Sequence, residues 1–298
     1  MFRSGFVSII GRPNVGKSTL MNRFVGEKIS IVTPKAQTTR HRIAGILSSE
    51  NYQIVFIDTP GILDPAYKLQ EKMMEAMHKA VQDADVVLYL TDITESPDEV
   101  KSRISSLQLQ VPCMLAINKI DLLKSAAGED EERTVESFLQ AYQAFPAVVK
   151  ILPISAQEGW GLDQLLEALI EYLPEGQPYY PTDELTDKPM RFIVAEIIRE
   201  KIFLLTREEI PYHTAVVIQS YEDKETLTRI RAEIIVSRES QKGIILGEKG
   251  RMIREIGRLA REEIEQMIGR KVFLELFVKV RPGWRENDRF LSSFGYTP

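Results

Sequence analysis

Apolar residues in the first 173 positions fall in short, nearly unbroken runs: FVSII (6–10), QIVFID (53–58), DVVLYLTD (85–92), CMLAIN (113–118) and VKILPIS (149–155). Runs without polar alternation belong to strands covered on both faces, as in a parallel sheet packed between helices. Between them the apolar spacing changes to three and four, in KSTLMNRFVG (17–26), LQEKMMEAMHKAVQD (69–83), EVKSRISSLQLQ (99–110), ERTVESFLQAYQAF (132–145) and LDQLLEALIEYL (162–173). That period predicts amphipathic helices, with Met73, Met74 and Met77 forming a core-facing stripe. Repeated strand-helix alternation predicts an open, mostly parallel α/β sheet with helices on both faces and its ligand site at the carboxyl ends of the strands.

The pattern breaks at 174–189, PEGQPYYPTDELTDKP, which holds four prolines and no helical or strand period. It reads as an extended linker, so the predicted domains are 1–173 and 190–298. Beyond it come a helix carrying Phe192, Ile193, Ala195, Ile197, Ile198 and Ile202, then two alternating strands, HTAVVIQSY (213–221) and RIRAEIIVSRE (229–239). A glycine-punctuated helix pair (242–269) and a last strand, KVFLELFVKV (271–280), complete a smaller α+β domain.

Length and composition agree with two domains. The 298 residues are 44% hydrophobic, enough for two cores, and the single cysteine, Cys113 in an apolar run, excludes a disulfide framework. No apolar run is long enough to span a bilayer, and the apolar stretch near the start is too short for a signal-peptide core, which predicts a cytoplasmic protein. The net charge of -5 argues against a nucleic-acid partner only as an average. Residues 1–187 carry 17 Lys+Arg against 26 Asp+Glu, or -9; residues 188–298 carry 21 against 17, or +4. Such asymmetry points to a polyanion-binding module on the C-terminal side.

The chemistry begins at GRPNVGKS, where Gly11, Arg12, Pro13, Asn14, Val15, Gly16, Lys17 and Ser18 fit G-x-x-x-x-G-K-S between a strand and a helix that continues through Thr19. Such a loop turns backbone N–H groups toward phosphate oxygens at a helix N-terminus. Lys17 supplies a point charge to the β- and γ-phosphates, and Ser18 a hydroxyl to magnesium.

VFIDTPG ends the next buried strand, placing Asp58 for the magnesium shell, with Thr59 and Pro60 leading to Gly61, whose backbone can approach a γ-phosphate. NKID follows another strand: Asp121 can accept from the N1–H and 2-amino group of guanine, Asn118 can address the base edge, Lys119 can lie over its face, and Ile120 sits between them. A base lacking hydrogen bonds that the site is built around loses about four to five orders of magnitude in discrimination. Ser155, Ala156 and Gln157 follow the final strand, where their backbone N–H groups could face the guanine carbonyl. These boxes, in this order at these strand ends, resemble the small GTP-binding proteins of the translation-factor class, across about residues 1–173.

Residue 62 is Ile, where Ras-like enzymes carry the glutamine that orients the attacking water, so slow intrinsic hydrolysis is expected. Asn14 resembles the position that, in bacterial GTPases with this substitution, helps hold potassium near the phosphates; a loop residue capping its own backbone remains the alternative. KAQTTRHRIAGI (35–46) lies where a nucleotide-sensing loop belongs, and Thr39, ahead of Thr38, is expected to give its hydroxyl to magnesium. Lys17, Asn14, Thr39 and Gly61 are the expected catalytic group.

In the basic half, ILGEKGRMI (245–253) places Gly-x-x-Gly between two helices, which resembles the KH fold and its clamp on single-stranded nucleic acid. Gly247 and Gly250 would admit the sugar-phosphate backbone across Glu248. Lys249, Arg251 and Arg254 would neutralise phosphates, and Lys242 would line the approach. The flanking elements match the α-β-β-α-α-β order of the type II form. Trp284 could stack on a base, but packing is the expected role.

From end to end the chain resembles the Era family, bacterial Ras-like GTPases with a C-terminal type II KH domain. The match includes KAQTTRHRI (35–43), LPEGQPYYP (173–181), AEIIREK (195–201), LELFVKV (274–280) and RPGW (281–284). The resemblance implies a monomer that binds GTP, GDP and magnesium, with potassium as a further ion. It also implies contact with the 3′ end of the small-subunit (16S) ribosomal RNA, assistance to maturation of the small ribosomal subunit, and peripheral association with the cell membrane. On the residues alone, Ile62 keeps a second reading open, an RNA-binding assembly factor whose nucleotide site turns over negligibly.

Overall fold

The computed structural model describes residues 1–127, 135–136, 139–142 and 145–296. Of the helix expected at 132–145, residues 132–134, 137–138 and 143–144 lie outside the described residues.

The N-terminal sheet contains β1 (Arg3–Ile10), β2 (Ile43–Ser48), β3 (Tyr52–Asp58), β4 (Val86–Asp92), β5 (Cys113–Asn118) and β6 (Lys150–Pro153), in the order β2-β3-β1-β4-β5-β6. All neighbours are parallel except β2, which runs antiparallel to β3 with Ile46 opposite Val55. The helices are α1 (Lys17–Val25), α2 (Lys68–Gln82), α3 (Pro97–Ser106), α4 (Ile120–Ala127) and α5 (Leu162–Tyr172). α3 shows why such segments start where they do: Pro97 occupies the first turn, whose N–H would be unpaired anyway, and Asp98 and Glu99 oppose the positive end of the helix dipole.

β1 is flanked by β3 and β4 and lies at the point where strand order reverses, so the segments leaving β1, β3, β5 and β6 emerge on one edge. The core is as expected: Val7, Ile9, Phe56, Leu88, Met114 and Leu115 are fully buried, as are Met73 and Met77 to within 1%. Cys113 is 2% exposed, and burial pushes its thiol up to about 12.

Two sequence expectations change here. Residues 43–46, read as the end of a loop, begin β2, which forms an antiparallel hairpin with β3 across the turn at 49–51, and Gly45 weakens the local strand signal. The 174–189 segment is extended but not loose. Ser4 N donates to Pro174 O at 3.1 Å and Ile46 N to Leu185 O at 2.8 Å, while the Gln53 carboxamide accepts from Tyr179 N and Tyr180 N. These bonds anchor it to the sheet.

The C-terminal elements are α6 (Met190–Leu205), β7 (Ala215–Asp223), β8 (Leu227–Val236), α7 (Glu239–Leu246), α8 (Arg251–Ile268), β9 (Lys271–Val280) and a short α9 (Asp288–Ser293). The sheet order is β7-β8-β9, with β7 antiparallel and β9 parallel to β8. Ile193, Ile197 and Ile202 of α6 meet Ile230 and Ile234 of the sheet and Ile256 and Ile264 of α8 in one core. Each such buried side chain contributes about 1.5–3 kcal/mol. Trp284 is fully buried, donates to His213 O at 3.2 Å and stacks on Tyr296, so its packed role holds. α9, which covers this tryptophan's surroundings, has no counterpart in the sequence reading.

By contacts the chain forms two compact units, one of residues 1–30, 39–63 and 74–187, the other of 31–38, 64–73 and 188–298. Within the second, Arg199 Nη2 donates to Thr38 O at 2.5 Å, and Lys35 Nζ donates to Phe203 O and Thr206 O. No helix among the described residues is long and apolar enough to cross a membrane.

Candidate functional site

The loop leaving β1 turns on Asn14, whose φ of 66° lies in the left-handed region that asparagine tolerates better than most residues. Arg12 and Asn14 are exposed, Val15 is buried, Thr19 lies in α1, and Lys17 is 6% exposed. Lys17 Nζ donates to Arg12 O at 2.7 Å and Gly11 O at 3.2 Å. Burial lowers its pKa to about 8, against the opposing pull of the Asp58 and Glu95 carboxylates.

Asp58, at the end of β3, is fully buried. Its Oδ2 accepts from Ser18 Oγ at 2.6 Å, Ser30 Oγ at 2.7 Å and Thr39 Oγ1 at 3.3 Å, and Ser18 Oγ lies 2.8 Å from Thr39 Oγ1. Its Oδ1 has no hydrogen-bond partner, and burial raises its pKa despite these donors. A buried carboxylate with one oxygen bonded by hydroxyls and the other without a partner is an oxygen donor set suited to magnesium. The structure therefore brings Thr39 to Ser18 and Asp58, while Thr38 turns away and pairs with Thr33 at 2.6 Å. Ser30 is a member that the sequence reading missed.

Thr59 Oγ1 donates to Ile9 O at 2.8 Å, and Pro60 carries the chain to Gly61 against the phosphate loop. A Cβ at Gly61 would lie 2.5 Å from Pro13 N, so only glycine lets this turn approach so closely. Ile62 N donates to Gly11 O at 3.0 Å, fixing the turn by its backbone rather than its side chain.

At the end of β5, Asn118 ties loops together. Its Nδ2 donates to Val15 O at 2.8 Å and its Oδ1 accepts from Ala156 N at 2.8 Å, so both ends of the amide are used in joining three loops. Ser155 N donates to Trp160 O at 3.0 Å, so neither Ser155 N–H nor Ala156 N–H is directed to a base; Gln157 is exposed. Lys119 has a φ of 63°, and its Nζ lies 2.5 Å from Asp92 Oδ2. Ile120 N donates to Ile154 O, and Asp121 stands in the first turn of α4. Asp92, the last residue of β4, and Glu95, on the loop that follows, carried no motif that would single them out. Glu95 is 4% exposed and bonds Arg103 Nη1 at 2.5 Å and Thr91 Oγ1 at 2.7 Å, with Arg12 Nη1 at 3.6 Å.

The Gly-x-x-Gly turn joins α7 to α8 as a short 3-10 turn over Glu248–Gly250. Gly247 has a φ of 69°, and a Cβ there would meet Met252 Cβ at 2.7 Å. Beside it lies a groove of about 580 Å³ walled by Gly247, Glu248, Arg251, Met252 and Arg254, and also by Leu205, Glu255 and Arg258, which the sequence reading did not include. Arg254 donates from Nη2 to Lys249 O at 2.8 Å and from Nε to Gly250 O at 3.1 Å, so it holds the turn's shape. Lys242 is not among the groove walls; its nearest acid is Glu239, 4.0 Å away.

Comparison with known proteins gives the same two parts. The family model described as 50S ribosome-binding GTPase matches residues 6–119, and the KH domain model matches 209–285. GTPase Era of Geobacter metallireducens is 49% identical over 300 residues, covering 99% of this chain and 98% of that one. GTPase Era of Carboxydothermus hydrogenoformans is 45% identical with the same coverage. A crystal structure of Era in complex with MgGDPNP and nucleotides 1506–1542 of 16S ribosomal RNA superposes with a TM-score of 0.93 at 41% identity. Aquifex aeolicus Era bound to GDP.AlF4- gives 0.91 at 41% identity, and both cover 100% of each chain.

Fold and site together define a P-loop GTPase domain followed by a KH domain. Within that class, the chain belongs to the Era family of GTPases.

Proposed function

We propose that this GTPase is a molecular switch that acts in the cytoplasm, binds the 3′ end of small-subunit ribosomal RNA and assists maturation of the small ribosomal subunit. The relative solved with that RNA segment supports the partner, and the groove beside Gly247 supports the C-terminal unit as the part that meets it. Residues 1–173 serve as the switch and 190–298 as the RNA grip, joined through 174–189.

In this reading Lys17 places its ammonium against the β- and γ-phosphates, and Asp121 selects guanine. Ser18, Thr39 and the partnerless Oδ1 of Asp58 would hold magnesium. When bound there, magnesium would supply positive charge against the phosphate oxygens. Gly61 brings backbone up to the γ-phosphate side, while the Ile62 side chain has no atom to hydrogen-bond the attacking water, which makes slow turnover the expectation. Asn14 is the residue for a potassium ion; equal hydrolysis rates in potassium and sodium buffers would overturn that part.

The observation that carries the coupling is the allocation of neighbouring residues. Thr39 sits at Ser18 and Asp58, while Thr38 belongs to the compact unit of 188–298 through Arg199. A ligand shifts such an arrangement only if it binds one form better than the other. The test is the affinity of an RNA oligomer with a GTP analogue, with GDP and without nucleotide; three equal values would refute nucleotide control of the groove.

A further inference from the structure

Lys119 is the one residue of the NKID box whose side chain is held by a group outside every recognised box. Asp92 ends β4 directly opposite Asn118 in the β4–β5 register. The left-handed backbone at Lys119 accompanies a side chain whose Nζ lies 2.5 Å from Asp92 Oδ2. The carboxylate is itself fixed: Oδ1 accepts from Thr94 N at 2.9 Å and Thr94 Oγ1 at 2.6 Å, and Asp92 is 3% exposed. Burial pushes its carboxyl pKa up, but the hydrogen bonds from Lys119 and Thr94 outweigh that and hold it below the ordinary value. The acceptor is therefore ionised at neutral pH, and it is rigid.

We propose that Asp92 is a positioning residue for guanine-nucleotide binding, fixing the Lys119 ammonium so that the lysine stem is laid out as a wall for the base before the nucleotide arrives. This rests on the guanine-nucleotide reading of the NKID box. The physical reason is entropic. A free lysine side chain carries rotamer freedom that binding would otherwise have to remove. The Lys119 side chain is 33% exposed, and its ammonium is held by the Asp92 carboxylate. A buried partner with a second anchoring residue gives the pair a defined geometry that two exposed, flexible side chains would lack.

The experiment uses the full chain and a fluorescent GDP analogue, with Asp92→Asn, Lys119→Met and the double variant. Asp92→Asn is expected to weaken binding about tenfold, mainly through faster dissociation, as most affinity differences at one site are. KM for GTP rises accordingly, and kcat stays within about twofold because no transition-state contact is lost. The double variant should bind no more weakly than Lys119→Met alone, because Asp92 acts through that lysine. Additive losses, or an Asp92→Asn affinity within about twofold of the parent, overturn the proposal. Thr94→Val keeps the ion pair but releases the carboxylate. It should lose about threefold and serves if Asp92→Asn does not fold; no loss there also overturns the proposal. If Lys119→Met binds as tightly as the parent, the guanine reading of the box fails instead.

Discussion

Asn118 Nδ2 donates to Val15 O across 2.8 Å, tying the end of β5 to the middle of the phosphate loop. The same side chain accepts from Ala156 N, so one amide sets the spacing of the loops that follow β1, β5 and β6.

Asn118→Ala should therefore damage both fold and site. It leaves a buried carbonyl and a buried N–H unsatisfied, at a cost of about 1–3 kcal/mol for each group. The unfolding midpoint in denaturant should fall and GDP affinity should fall with it; a variant that lost affinity at unchanged stability would place Asn118 on the nucleotide instead.

Gly61→Ala should separate the turn after β3 from the phosphate loop, since its Cβ would lie 2.5 Å from the Pro13 nitrogen. GTP turnover should drop at least tenfold, about 1.4 kcal/mol in the barrier, while the C-terminal unit still binds RNA. Single-turnover phosphate release beside an RNA titration reads both.

Arg199→Met leaves Glu196 buried without its cation and Thr38 O without its donor. Breaking one side of such a pair costs about 3–5 kcal/mol. Calorimetric unfolding should show the C-terminal transition lowered, and an unchanged transition would mean that the pair is solvated in solution.

Arg251 and Arg254 should differ in kind. Arg251→Ala should weaken RNA-oligomer binding and reduce the salt slope by about 0.7, the share of one phosphate contact on a single strand. Arg254→Ala should also weaken binding, but through a turn that has lost its bonds to Lys249 O and Gly250 O, visible as faster amide exchange at 247–250.

Cys113 gives a pH prediction. Its thiol titrates near 12 in the folded protein against an ordinary 9, so the unfolded chain releases this proton first as pH rises. The contribution to stability is whole below pH 9 and is lost progressively as pH climbs from 9 toward 12. A thiol reagent at pH 8 should not modify the native protein and should react fully in denaturant.

The sequence by itself determined the two-part architecture, the strand-end motifs and the glycine turn between α7 and α8. Each rests on local chemistry: buried runs make strands, a glycine-rich loop before a helix makes a phosphate cradle, and Gly-x-x-Gly needs only its neighbours. It also ranked Thr39 above Thr38, a choice the Ser18 and Asp58 contacts agree with. Tertiary structure alone decided which distant groups meet. Ser30 reaches Asp58 only through the fold, and the Asn118 amide bonds Val15 O and Ala156 N, which are far from it in sequence. Asp92 meets Lys119 because β4 and β5 are neighbours, and residues 31–38 join the unit of 188–298 because α6 offers Arg199 and its terminal carbonyls. The reason is common to all of these: a hydrogen bond depends on positions in space, and sequence spacing specifies those positions only within a turn, a helix or a strand.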